Sequence, residues 1–237
     1  FYEQPGLVLD VGVRGALTTM DAARKHGVER YIVASSSEVY QEPTHVPTAE
    51  HERIIIPDVS NPRFSYSGGK LITELLTFHY LQGVDRRIIF RPHNVYGPDM
   101  GWEHVIPDFM RRIRETAPEA QDGLLPFPIQ GTGRETRAFC YIDDAVDGIL
   151  LAAEQGEDAH IYHLGVDDEV EIADVARRIG RIAGYDLELI PKDLPAGGTA
   201  RRCPDISKLR ALGYSPSVSL DNGLQHCWDW YAKAPLP

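Results

Sequence analysis

Apolar and polar positions along the chain fall into two alternating rhythms. From Pro5 to His26 the apolar residues Val8, Val11, Leu17, Met20 and Ala23 recur at helical spacing, with Pro5 suited to a first turn and Gly27 to a stop. Tyr31-Ile32-Val33-Ala34 is a continuous apolar run between polar flanks, the habit of a strand buried on both faces in a parallel sheet. A polar, Pro-rich loop from Gln41 to about Pro62 leads to a second helical pattern from Ser67 to Tyr80, closed by Gly83, and then to a second buried run, Ile88-Ile89-Phe90. Helix, strand, helix, strand predicts a doubly wound α/β sheet.

Beyond Gly97-Pro98 the texture changes. His104 to Glu115 predicts a helix, followed by a loose Pro- and Gly-rich stretch to about Arg134. Arg137 to Ile142 predicts a strand, with Asp143 or Asp144 capping a helix to about Gln155. A strand over Ile161–Leu164, a helix over Ile172–Ala183, a strand over Leu187–Ile190 and a closing helix over Leu220–Tyr231 complete the reading. A doubly wound dinucleotide domain begins with a strand, a Gly-rich turn and a helix. No GxGxxG stands near a first strand here, and the chain begins with Phe1, so the expectation is that the first half-sheet is missing.

Composition narrows the classes. The 237 residues are 43% apolar and 25% charged, enough to bury a core. No apolar run approaches the roughly 20 residues of a membrane helix. Asp plus Glu outnumber Lys plus Arg by 35 to 24, a net charge of −11 that repels nucleic-acid backbones. Cys140, Cys203 and Cys227 are far apart and form no CxxC, so they read as idle thiols in a reducing cytosol. The nine histidines show no metal-ligand spacing, and no metal is expected.

Three stretches carry chemistry. In Tyr66-Ser67-Gly68-Gly69-Lys70, Tyr66 and Lys70 stand at i and i+4 on one helix face. A phenol is a poor base at neutral pH, and an ammonium one turn away favours its anion, which makes Tyr66 a usable proton acceptor. Ala34-Ser35-Ser36-Ser37-Glu38 follows the C-terminal end of a buried strand, where α/β sheets place ligands, and a serine there can donate to a substrate oxygen. Arg91-Pro92-His93-Asn94-Val95-Tyr96-Gly97-Pro98 follows the next strand.

With these residues in this order, the chain resembles the extended short-chain dehydrogenase/reductase family, the nucleotide-sugar epimerases and dehydratases. The resemblance rests further on Gly131-Thr132-Gly133-Arg134-Glu135-Thr136-Arg137, Asp143-Asp144, Val105-Ile106-Pro107 and the stretch from Arg201 to Pro216. It implies a Rossmann-like, N-terminally truncated dinucleotide domain over 1–98 and 138–166, and a smaller α/β substrate domain over 99–137 and 167–237. It implies NAD as cofactor and a nucleotide sugar as substrate. Ser36, Glu38, Tyr66 and Lys70 would be catalytic. Ser35, Tyr66, Lys70, Arg91 and Pro92 would meet the cofactor, and Ser37, Asn94, Val105, Arg137 and Arg202 the substrate. A phosphate-gripping element of the family reads Leu194-Pro195-Ala196-Gly197 here, which leaves Arg201 or Arg202 to take over. The resemblance also implies a cytoplasmic homodimer without nucleic-acid or membrane partners.

The leading activity is 4-epimerisation by oxidation to a 4-ketosugar and re-reduction. The alternatives are a nucleotide-sugar 4,6-dehydratase or uronic acid decarboxylase, towards which Ser36-Ser37-Glu38 leans, and a non-catalytic dinucleotide-binding sensor, against which Tyr66 and Lys70 count.

Overall fold

The computed structural model describes residues 3–193 and 199–237. In chain order the first elements are α1 (Pro5–Leu9), α2 (Gly15–His26), β1 (Arg30–Ala34), α3 (Ser65–Leu75), β2 (Arg86–Pro92), β3 (Val95–Tyr96) and α4 (Val105–Thr116). Then come β4 (Leu124–Gln130), β5 (Thr136–Ala138), β6 (Cys140–Tyr141), α5 (Ile142–Gln155), β7 (His160–Leu164), β8 (Glu169–Glu171) and α6 (Ile172–Ala183). The chain closes with β9 (Asp186–Lys192), β10 (Arg201–Arg202), α7 (Ser207–Arg210) and α8 (Leu220–Tyr231). The fold is α/β with parallel sheets, and it separates into two compact units.

The first unit comprises residues 1–93, 145–165 and 204–215. Its sheet has the order β1-β2-β7, all parallel, with Ile88 paired to Ile32 on one side and to His160 on the other. β2 is central, which is why Ile88 and Ile89 are fully buried, whereas β1 is an edge strand. The first helical stretch is not one continuous α-helix. A π-helical turn over Asp10–Arg14 separates α1 from α2, and a second one, Leu76–Tyr80, extends α3. Ala16, Met20 and Ala23 are buried against Leu81 and Val84, whereas Val11, nine residues before Met20 and so on the opposite side of a helix, is 63% exposed. Gly27 ends α2 in the left-handed conformation, at φ 61°.

A buried polar chain crosses this unit. Arg91, 1% exposed, forks onto Glu74 through Nε (2.8 Å) and Nη2 (2.6 Å). Its Nη1 donates to the Tyr40 hydroxyl and to the Glu50 carbonyl (2.9 Å). The Tyr40 hydroxyl lies 2.7 Å from His163 Nε2, and His163 Nδ1 lies 3.0 Å from the Asp205 carbonyl. A carbonyl only accepts, so Nδ1 carries the proton and Nε2 accepts from Tyr40. Burial pushes His163 down to about 3, with the Arg91 and Lys208 charges acting the same way, and pushes the Tyr40 phenol up to about 12.

The second unit comprises residues 94–144, 166–203 and 216–237. Its core gathers Ile106, Phe109 and Ile113 of α4, Leu125, Phe127 and Ile129 of β4, Ala176 and Ile179 of α6, and Leu224 and Tyr231 of α8. The Pro/Gly-rich stretch expected to be loose contains β4, paired in parallel with β9 from Leu124↔Asp186 to Gln130↔Lys192. Pro126 and Pro128 share one parity, so the donors they lack fall on one edge of the strand, while Leu125, Phe127 and Ile129 face inward. The predicted strand over 137–142 is two short ones, β5 paired to β8 and β10, and β6 paired to β3. Asp144, expected as a helix cap, accepts from the amides of Ser217 (2.8 Å) and Val218 (3.0 Å).

The buried histidine and one close-packed glycine can each be tested by unfolding. His163 binds a proton less readily folded than unfolded, so its contribution to stability is complete above its ordinary value near 6.5 and is lost as pH falls towards 3. Urea unfolding should show wild type losing stability at up to about 1.4 kcal/mol per pH unit from this group in that window. His163→Gln should have a shallower acid slope, and an identical slope would count against the assignment. Gly133 sits at φ +79°, and a Cβ there would lie 2.5 Å from Ile129 Cδ1 and 2.8 Å from Ala173 Cβ. Gly133→Ala should therefore destabilise the protein by roughly 1–3 kcal/mol in the same assay. A change under about 0.5 kcal/mol, the range of ordinary surface substitutions, would contradict this.

Candidate functional site

α3 carries the central residues. Asn61 accepts from the Arg63 amide (3.0 Å) to begin the short turn Pro62–Phe64, and Ser65 continues it into α3, which places Tyr66 in the first helical turn. Lys70 follows one turn later, its Nζ 5.7 Å from the centre of the Tyr66 ring. The Lys70 ammonium donates to the Ala34 carbonyl at 2.8 Å, at the C-terminal end of β1. That bond uses one of its three hydrogens and leaves the others for a ligand. Burial lowers the Lys70 ammonium below the ordinary lysine value, so its charge is only partly screened by water. Tyr66, Gly69 and Lys70, with Val33 and Ala34, line a cavity of about 660 Å³ that α1, α2 and β1 complete.

The serine run leaves β1 where Lys70 holds it. Ser36 is extended, at φ −160°, and its Oγ accepts from the Glu38 amide (3.1 Å), capping the 3₁₀ turn Ser37–Tyr40 that packs against α3. Ser36 and Ser37 are buried, and Glu38 is partly exposed. Ser35, expected to meet the cofactor, is 2% exposed, and its hydroxyl donates to Glu74 Oε1. Arg91, expected there too, gives its guanidinium to Glu74, Tyr40 and the Glu50 carbonyl. Pro92, at the end of β2, is partly exposed beside Leu164 in the ladder. Glu74 is absent from the residues singled out by sequence. A signal for it does exist: it continues the i, i+4 spacing of Tyr66 and Lys70 by one more turn.

The second unit arranges the remaining residues in two places. Asn94, at φ 40°, donates from Nδ2 to the Ala138 carbonyl (3.0 Å) and lines a small cavity of about 70 Å³ together with Val105, the first residue of α4. The N-terminus of α4, with Val105 and Ile106 in the lining, brings the positive end of the helix dipole to that cavity. Arg137 and Arg202 are direct partners across the β5–β10 pairing. Arg137 donates to the carbonyls of Thr136 (2.7 Å) and Thr199 (2.7 Å), and Arg202 to the Thr199 hydroxyl (3.3 Å). Two adjacent guanidiniums suit a phosphate-type anion. Arg201, the other candidate there, is paired with Glu169 at 2.6 Å. Leu194-Pro195-Ala196-Gly197 lies outside the described residues.

Comparison with known proteins agrees with this architecture. A UDP-N-acetyl-alpha-D-glucosaminuronate decarboxylase of Bacillus cytotoxicus is 32% identical over 95% of this chain and 70% of that protein. A dTDP-glucose 4,6-dehydratase of Streptomyces antibioticus is 29% identical over 96% of this chain and 64% of its own length. The crystal structure of a UDP-glucose 4-epimerase from Thermotoga maritima, with UDP-glucose, matches with a TM-score of 0.82 and 27% identity, covering 98% of this chain and 72% of that one. The sequence pattern of one family, for which NAD is the cofactor, matches residues 2–165. The chain belongs to the NAD dependent epimerase/dehydratase family.

Proposed function

We propose that this protein oxidises C4 of a nucleotide sugar, with Tyr66 as the proton acceptor, and that the reaction it completes is 4-epimerisation. The observation that carries the reading is the placement of Lys70. Its ammonium is tied to the end of β1, half-buried, and set 5.7 Å from the Tyr66 ring inside a cavity. That cavity fits the nicotinamide end of NAD: it has apolar walls, and Lys70 offers donors for ribose hydroxyls. NAD, when bound, supplies the hydride acceptor for C4.

Tyr66 takes the proton of the sugar 4-hydroxyl, and Lys70 stabilises the negative charge on the phenolic oxygen. Ser36 donates a hydrogen bond to the same sugar oxygen, with Ser37 beside it. Asn94, the α4 N-terminus at Val105, Arg137 and Arg202 hold the nucleotide phosphates. Tyr66 would give the proton back to O4 as the opposite face of the ketosugar is reduced, and the epimer would result. A sensor that only bound a dinucleotide would have no use for the Tyr66–Lys70 pair.

Glu38 supports a second reading. It stands in the turn capped by Ser36, and its carboxylate is a candidate base for C5, whose proton becomes acidic beside a C4 ketone. Elimination of water from C6 would then follow; in a uronic acid the C5 carboxylate would instead leave as carbon dioxide, its electron pair passing into the C4 ketone as an enolate with the C5 proton left in place, and two relatives are named for such reactions. A homodimer belongs to the same proposal. Leu9, Ile72 and Leu75, exposed and outside the lining of the cavity at Tyr66 and Lys70, give α1 and α3 apolar surface suited to a second copy.

UDP-glucose, UDP-glucuronic acid and dTDP-glucose with NAD form a first panel, with products read by proton NMR. Tyr66→Phe should lower kcat at least 100-fold while nucleotide-sugar binding changes less than about twofold. A variant keeping a tenth of wild-type kcat would remove Tyr66 from the chemistry. Turnover in deuterated water separates the two reactions. Epimerisation leaves C5 unlabelled and tolerates Glu38→Gln. Label at C5 that disappears with Glu38→Gln, together with a loss of about 100-fold in rate, would replace the epimerase by the second reading.

A further inference from the structure

Tyr66, Lys70 and Glu74 follow one another at four-residue intervals along α3 and so lie on one stripe of the helix. The first two belong to the proposed reaction. The third is a carboxylate, 5% exposed, at a depth where an ionised group persists only with partners. Arg91 supplies two of them, at 2.8 Å to Oε1 and 2.6 Å to Oε2, and the Ser35 hydroxyl supplies another at Oε1. Ser35 is also held by its amide, which donates to the Phe90 carbonyl at 2.8 Å. The end of β1 is thus fastened to α3 at two successive residues, Ala34 by Lys70 and Ser35 by Glu74. Ser36 is the next residue, and the turn it caps carries Glu38.

We propose that Glu74 is a positioning residue that, locked by Arg91, fixes Ser35 and through it the Ser36–Glu38 turn against the face of α3 bearing Tyr66 and Lys70. This rests on the reading of Ser36, Tyr66 and Lys70 given above. A buried ion pair is a poor means of gaining stability, because two desolvation costs offset its attraction. It is a good means of fixing an acceptor in space, because a carboxylate gripped at both oxygens by a planar guanidinium cannot rotate. The pairing has a second effect. Arg91 neutralises Glu74, so the carboxylate does not offset the positive charge that Lys70 presents to Tyr66.

Ser35→Ala tests this directly, since it removes the hydroxyl joining the ion pair to the loop and leaves the pair itself in place. Its melting temperature should stay within about 3 °C of wild type. Amide hydrogen exchange measured by mass spectrometry should accelerate at least 10-fold in peptides covering 36–40 and stay unchanged in β2 and α2. On the nucleotide sugars of the panel, Ser35→Ala should lower kcat about 10-fold with KM within twofold. In a Ser36→Ala background it should cost less than twofold, because its effect passes through Ser36. Unchanged exchange over 36–40 would overturn the proposal, and so would full, independent losses from the two alanine variants. If wild type turns over none of the sugars, the reaction assigned above falls, and the exchange measurement still decides whether Glu74 holds the turn. Glu74→Gln should repeat the local acceleration, and should it not fold, Ser35→Ala alone decides the question.

Discussion

Burying the Arg91 guanidinium and the Glu74 carboxylate together removes two full charges from water, a cost offset only if every donor and acceptor around them is matched. The first unit meets that condition by surrounding the pair with groups from distant parts of the chain: Ser35 after β1, Tyr40 in the turn beyond it, and the Glu50 carbonyl in the long loop. Tyr40 then passes the chain on to His163 and Asp205. The polar loop from Gln41 onwards, which carries little periodicity, is therefore tied to the sheet by hydrogen bonds more than by apolar packing. Removing either charge leaves the other buried without its match, and the damage then spreads along the chain of contacts.

The same constraint separates the residues proposed for the chemistry from the one proposed to hold them. Along α3 the stripe passes from the cavity wall at Tyr66, through a half-buried ammonium at Lys70, to a fully enclosed carboxylate at Glu74. Solvent access falls along the helix as the demand for a partner rises. Rigidity at the buried end and access at the open end are what a site on a regular element requires.

Much of the architecture is legible in the sequence because it depends on local rules. α6 and α8 begin and end where their apolar spacing says they should, β1 and β7 each begin one residue before their apolar runs, and β2 extends its run by two residues at each end. Tyr66 and Lys70 are legible as a pair because helix spacing alone puts them on one face. β4 is hidden by its prolines: alternation at Leu125, Phe127 and Ile129 is present, but turn-forming residues mask it. The joint partner of Ser35 and Arg91 is hidden for another reason: Glu74 lies 39 and 17 residues away from them in sequence, and the helical spacing that puts it on a stripe with Tyr66 and Lys70 does not say what it binds.

The π-helical turn at Asp10–Arg14 gives one stretch of chain two allegiances. Each residue of an α-helix advances about 100° around the axis, so one additional residue in a turn rotates everything before it relative to everything after it. Ala16, Met20 and Ala23 face the interior of their own unit, while Leu7 and Val11, nine residues before Ala16 and Met20, stand on the opposite side and face outwards. The length of this stretch therefore sets the angle between its two faces separately from its composition. Loss of one residue between Asp10 and Arg14 would leave the remaining side chains' chemistry unchanged, yet would swing the outward apolar face by about 100° relative to α2.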